Sequence, residues 1–186
     1  MVQSSTAFIG MDVHKESIDI AIADAHEARH YGRIAGDGAA LDKATRKLRA
    51  VHRRPVFVYE AGPCGFWIYR RLRAQGLECM VVSPSKTPRN AADRVKTDRR
   101  DALKLARLAR AGELEPIHVP DALDEAMRDL VRAREDAVIV QRQVRQRLQA
   151  LLLRSEIRYA GKTAWTQAHR RWIAKLKLCG APQRTA

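Results

Sequence analysis

Residues 8–24, FIGMDVHKESIDIAIAD, decide the fold. From Ser17 to Ala25 the pattern alternates cleanly, with Ile18, Ile20 and Ile22 on one face and Asp19 on the other. That period of two is the signature of a strand with one buried face. Phe8 to Val13 alternates more loosely and carries Asp12 near its end. Only His14, Lys15 and Glu16 separate the two runs, which leaves room for a tight connection and nothing more. The stretch predicts a β-hairpin.

Outward from the hairpin, a third strand is expected at Arg29 to Ala35, before the Gly36-Asp37-Gly38 break. Ala39 to Val51 places Leu41, Ala44, Leu48 and Val51 at three- and four-residue steps, a helical stripe. Pro55 to Tyr59 is short and wholly apolar, as in a strand buried on both faces, and Glu60 follows it directly. After the turn Ala61-Gly62-Pro63-Cys64-Gly65, a helix is expected from about Phe66 to Ala74, stopped by Gly76. Leu77 to Val82 predicts a last strand, ended by Ser83-Pro84. Antiparallel strands first and βα units afterwards specify an α/β fold, a mixed five-stranded sheet with helices on its faces.

Residues 84–97, PSKTPRNAADRVKT, read as an irregular or mobile loop. Thr97 is a good N-cap for a helix from Asp98 to Ala111, whose first-turn acids suit the helix dipole, and Gly112 closes it. Beyond Pro120 the composition changes. Asp121 to about Tyr159 lacks Gly and Pro, and Leu123, Leu130, Ala137, Val144 and Leu151 recur every seven residues. Met127 and Leu148 supply the alternate seam, which Arg134 and Gln141 interrupt. This predicts a long, imperfect coiled-coil helix that pairs with another helix. Gly161 breaks it, and helical character resumes from Ala164 to Leu178. The expected organisation is an α/β domain over 1–119, the long helix over 120–160 and a basic helical segment over 161–186.

The 186 residues are 46% apolar and 30% charged, enough for one substantial core with much solvated helix. The net charge of +14 is unevenly placed. Residues 1–83 carry 12 Lys+Arg against 9 Asp+Glu, whereas from Gln141 onward there are 11 against one. Arg142, Arg145, Arg147, Arg154, Arg158, Arg170 and Arg171 dominate that block, an electrostatic footprint for polyphosphate. Cys64, Cys79 and Cys179 are odd in number and lack CxxC spacing, which argues against a disulfide framework or structural zinc. Neither a secretory leader nor a membrane-length apolar run is legible, so a cytoplasmic location is expected.

Against this basic background four acids stand at ordered places. Asp12 and Glu60 end strands, and Asp98 and Asp101 are three residues apart at a helix start, on one side of it. Singly, each has an ordinary account as a turn, strand-end or dipole-compensating acid. Together they match what divalent-metal phosphodiester chemistry needs, which is several carboxylate oxygens converging at one sheet edge. Magnesium or manganese is the expected ion.

Three runs, FIGMDVHKESIDIAIAD, VYEAGPCG and VKTDRRDALKLARLARAGEL, resemble the DEDD transposases of bacterial insertion sequences, a family that includes Piv-like invertases and bridge-RNA-guided recombinases. The resemblance covers roughly residues 7–178. It implies a RuvC-like ribonuclease H fold followed by a coiled-coil helix, with Asp12, Glu60, Asp98 and Asp101 as the metal-binding catalytic set. It further implies DNA transposition or site-specific recombination in bacteria, DNA as partner, a structured guide RNA in one branch, and pairing of copies through the long helix. The family's C-terminal domain carries a nucleophilic serine. This chain is expected to stop short of that domain, and Ser4, Ser5 and Ser155 match no such motif.

Other residues carry less. His14, two residues after Asp12, reads as a surface turn residue, with contact to a metal or phosphate as the alternative. His26 and His30 span a turn and a strand, where helical zinc geometry fails. Cys64 lacks a His partner, and Gly62-Pro63-Cys64-Gly65 is too short for a phosphate loop. Trp165 and Trp172 read as filling one helix face. Alternative functions are a stand-alone RuvC-type junction nuclease and a non-catalytic fragment that binds nucleic acid or pairs with a longer chain. An actin-like sugar kinase lobe lacks its glycine-rich turn, since His14-Lys15-Glu16 stands there.

Overall fold

A computed structural model describes residues 6–88 and 97–177. The chain divides into two compact units, Met1–Pro120 and Asp121–Ala186.

In the first unit, β1 (Thr6–Val13), β2 (Ser17–Ala23) and β3 (Ala28–Ala35) form an antiparallel meander. Helix α1 (Gly38–Val51) then returns the chain to β4 (Arg54–Glu60), which lies parallel to β1. Helix α2 (Trp67–Ala74) leads to β5 (Glu78–Val82), parallel to β4. The sheet order is β3-β2-β1-β4-β5, so the strand carrying Asp12 is the central one. This is the mixed five-stranded sheet expected of a RuvC-like ribonuclease H fold. The segment after α3 (Asp98–Ala111) covers the β5 edge, with Ile117 N–H donating to the Val81 carbonyl at 2.8 Å.

Strand alternation sends the two faces to different helices. Ile9, Met11, Ile18, Ile20, Phe57 and Tyr59 point to one side, where Leu41, Leu48, Ile68 and Leu72 of α1 and α2 complete the main core. Burying such side chains contributes roughly 1.5–3 kcal/mol each, which makes this layer the chief source of stability. The opposite face is built for a close approach. Ala21 and Ala23 meet Ala102 and Ala106 of α3, and Val58 and Val82 meet Leu105 and Ala109. Small side chains let α3 lie almost on the sheet backbone. Thr97 caps its N-terminus by accepting from Arg100 N–H, and Gly112 at φ 74° closes it in the left-handed region. The predicted strand and helix boundaries in this unit hold to within two residues, the largest differences being the start of β1 and the end of β2, and residues 89–96 of the predicted loop lie outside the described residues.

In the second unit, α4 (Ala122–Arg154) runs 33 residues, about 50 Å at 1.5 Å per residue. It ends five residues before the expected Tyr159. Glu156 adopts φ 57°, and the Glu156 and Ile157 amides donate back to the Leu153 and Leu152 carbonyls at 3.1 and 2.9 Å. This is a Schellman closure with glutamate where glycine is usual, so no breaker marks it in the sequence. The last helix, α5 (Gln167–Ala174), is shorter than the expected Ala164–Leu178, because Thr166 caps it. Leu178 lies outside the described residues. Trp165 precedes α5 and does not share a helix face with Trp172. Both instead gather with Tyr159 around the buried His169, with ring centroids 4.6–5.5 Å from that imidazole.

Candidate metal centre and nucleic-acid interface

The β1–β2 connection is closed by His14 N–H donating to the Ser17 carbonyl at 2.9 Å. The hairpin holds Asp12 at the C-terminal edge of the central strand. Alternation puts Asp12 on the same face as Gly10, the face that α3 crosses. The first turn of α3 therefore arrives over Asp12 and brings Asp98 and Asp101 with it.

Ligand atoms of Asp12, His14 and Asp98 all lie within 4.8 Å of one another. His14 Nε2 sits 3.1 Å from Asp12 Oδ2 and 3.5 Å from Asp98 Oδ1. Asp98 Oδ2 accepts a 2.6 Å bond from Arg33. Burial pushes the Asp12 carboxyl above its ordinary range; the hydrogen bond and charge of His14 pull it down, and Asp101 and Asp98 push it up. Asp101, half-buried, is thus electrostatically part of the group.

Glu60 ends β4, one step beyond the Met11–Tyr59 register pair, so it neighbours Asp12 along the same edge and faces the same side. It stands outside the tight trio. Asp12 and Asp98 thus converge; Asp101 is near enough to act on the Asp12 charge but, like Glu60, is not one of the close trio. His14, set aside as a surface turn histidine, is exposed in that turn and also contacts the acids.

The donor set fits a divalent cation. Carboxylate oxygens are the preferred ligands of magnesium and manganese, and a cation between Asp12 and Asp98 would offset the like charges that add to burial in lifting Asp12. The remaining titratable groups are less inviting. Cys64 and Cys79 are free, and burial pushes the Cys79 thiol up to about 12, which leaves it inert at neutral pH. His30 is committed to Asp19 at 3.0 Å.

The arginine block occupies the second unit. Arg142 and Arg147 are exposed on α4, Arg154 ends it, Arg158 follows it, and Arg170 and Arg171 are exposed on α5. Arg145 stacks over Trp165 at 5.0 Å from the ring centre. Exposed guanidinium groups on solvated helix are available to phosphate.

The sequence reading missed Arg33 and Asp19. Asp19 is 3% exposed on the face opposite the isoleucines, and a carboxylate so deep requires a partner. The sequence carried no signal of this, because alternation alone reads the face opposite the isoleucines as solvent-exposed.

The comparisons agree in one direction. A family model described as a transposase, of the DEDD type, matches residues 9–156. A putative transposase, y4qE, of Sinorhizobium fredii is 46% identical over 170 residues, spanning 90% of this chain and 44% of that protein. The transposase for insertion sequence element IS1533 of Leptospira borgpetersenii is 37% identical over 173 residues, 91% of this chain and 50% of that protein. The chain thus spans about half the length of the curated relatives it matches. Among solved structures, T. thermophilus RuvC in complex with a Holliday junction substrate aligns over 60% of this chain and 99% of that one, at 14% identity and a TM-score of 0.38. With the family match running through both strand-end acids, the α3 pair and the long helix, the chain belongs to the DEDD transposase family of bacterial insertion sequences.

Proposed function

We propose that this chain is the metal-dependent, RuvC-like portion of an insertion-sequence transposase, acting on DNA by cleavage and strand exchange in the bacterial cytoplasm. The observation that carries the reading is the gathering of Asp12, Asp98 and His14 at the sheet edge of a transposase-family chain. Asp12, Glu60, Asp98 and Asp101 hold Mg2+ or Mn2+. The bound ion supplies Lewis-acid stabilisation of the charge that develops on a phosphodiester under attack. The protein's own part is geometric. The central strand fixes Asp12, and the capped first turn of α3 presents Asp98 and Asp101 from above. Glu60 ends the neighbouring strand β4 at the same sheet edge. No helix among the described residues is long and apolar enough to cross a membrane.

Arg142, Arg145, Arg147, Arg154, Arg158, Arg170 and Arg171 track the backbone of DNA, and of a structured guide RNA where one is used. Replacing Arg142, Arg145 and Arg147 together by glutamine is expected to flatten the salt dependence of binding to a branched DNA duplex. Each lost phosphate contact lowers the log–log slope by about 0.9. A fluorescence anisotropy titration across salt concentrations reads it, and an unchanged slope removes these arginines from the interface.

Helix α4 pairs copies of the chain. Leu123, Leu130 and Val144 of its seven-residue repeat are 73%, 64% and 54% exposed, and Met127 is 53% exposed beside them. An apolar seam this open is stable in water only when covered. Sedimentation should show a dimer at micromolar protein, and Leu130→Glu should shift it to monomer. A wild-type chain that sediments solely as monomer contradicts the pairing.

A further inference from the structure

β3 pairs with β2 through a bulge. Ile20 lies opposite Gly32 and Ala21 opposite His30, which leaves Tyr31 as one extra residue. Gly32 takes φ +146°, a conformation that side-chain-bearing residues rarely adopt. The consequence is a change of parity. Residues 30 and 33 of a regular strand face opposite sides, but here both reach the face that carries Asp19.

There they enclose that buried carboxylate. Arg33 Nε donates to Asp19 Oδ2 at 2.6 Å, and His30 Nε2 lies 3.0 Å from Asp19 Oδ1. Asp19 is itself opposite Asp12 in the β1–β2 register, so the assembly abuts the acid cluster. The far nitrogen of Arg33 donates to Asp98 Oδ2 at 2.6 Å. One planar guanidinium therefore links a fixed acid in the sheet to the first residue of α3. It occupies Oδ2 of Asp98, while Oδ1 is the oxygen turned to His14 and the cluster.

Resting on the metal-centre reading above, we infer that Arg33, braced by Asp19, is a positioning residue that aims Asp98 Oδ1 at the metal site. A guanidinium that merely blocked the site would engage the oxygen facing Asp12 and His14. Arg33 engages the other one, and its fork is fixed by Asp19, a buried carboxylate that is not among the proposed ligands. Partners of this kind, which orient a metal ligand without touching the metal, commonly govern affinity by ~10-fold to 100-fold. The opposite end of α3 has a separate anchor, since Arg110 donates to the Asp24 and Glu27 carbonyls at 2.8 and 3.3 Å. That anchor supplies a control for plain loosening of the helix.

The experiment is a calorimetric titration of the full chain with Mn2+ alone. Arg33→Gln and Asp19→Asn are each expected to weaken Mn2+ binding by about tenfold or more. Arg33→Lys, which keeps the charge but cannot bridge two carboxylates with one plane, should restore part of it. Arg110→Gln should lower the melting temperature and leave Mn2+ affinity unchanged. Should Arg33→Gln fail to fold, the Asp19→Asn and Arg33→Lys pair reads the same coupling. Wild-type uptake of Mn2+ with equal or tighter binding in the Arg33 and Asp19 variants overturns the positioning role alone. A wild-type chain that takes up no Mn2+ overturns the metal centre as well.

Discussion

Gly10→Ala is expected to destabilise the first unit by about 3 kcal/mol or more, at the upper end of what overpacking costs. Gly10 lies in the central strand directly beneath α3. A methyl group there would overlap the Ala102 carbonyl oxygen and the Ala106 amide nitrogen, both backbone atoms of the helix. No rotamer relieves that clash, because the obstructing atoms belong to no side chain. The helix must lift off the sheet, opening the Ala21, Ala23, Ala102 and Ala106 layer. Lifting α3 also carries Asp98 and Asp101 away from Asp12, so the variant should lose divalent-metal binding together with stability. Urea denaturation checks the first effect. Gly62→Ala is the control, since nothing lies within 4 Å of the added carbon and it should change stability little. Equal stability of Gly10→Ala and wild type would mean that α3 does not seat on β1 as described.

Asp12→Asn should have opposite effects with and without metal. Burial and the neighbouring Asp101 and Asp98 hold the Asp12 carboxyl above its ordinary range despite His14. An acid raised in the folded state favours folding while protonated, and that benefit is lost as pH rises through its folded value. At neutral pH the ionised Asp12 is therefore a net liability in the absence of metal, and asparagine should be as stable as aspartate or more so. Adding Mg2+ reverses the order. Metal at a hundredfold excess over its dissociation constant stabilises the wild type by about 2.7 kcal/mol. For a domain near this size, that is a rise in melting temperature on the order of 10 °C. The asparagine variant should show no such rise. A thermal scan with and without Mg2+ measures both effects, and an equal shift in the two proteins would remove Asp12 from the ligand set.

The sheet was legible because its residues obey local rules. The Ile18, Ile20 and Ile22 alternation and the unbroken run at Pro55 to Tyr59 each reflect burial that a single strand imposes on its own sequence. The Thr97 and Gly112 caps bracket α3 for the same reason. What the sequence concealed depends on partners distant along the chain. Arg33 meets Asp98 across 65 residues, and only the Tyr31 bulge turns it toward them. His14 looked like an ordinary turn residue because its contact to Asp98 exists only once α3 is seated. The end of α4 was misplaced because Glu156 takes a backbone conformation usually left to glycine. Of the candidate site, the order of the acids was visible in the sequence. The close grouping of Asp12 and Asp98, and the separation of Glu60 from it, follows from how one helix crosses one sheet edge.

The most direct test of the central claim is diffraction from crystals of the chain grown with Mn2+, recorded at the manganese absorption edge. The account predicts an anomalous peak coordinated by Asp12 and Asp98, with Asp101 and Glu60 turned toward it. A map with no peak between Asp12 and Asp98, or with manganese bound elsewhere, would contradict it.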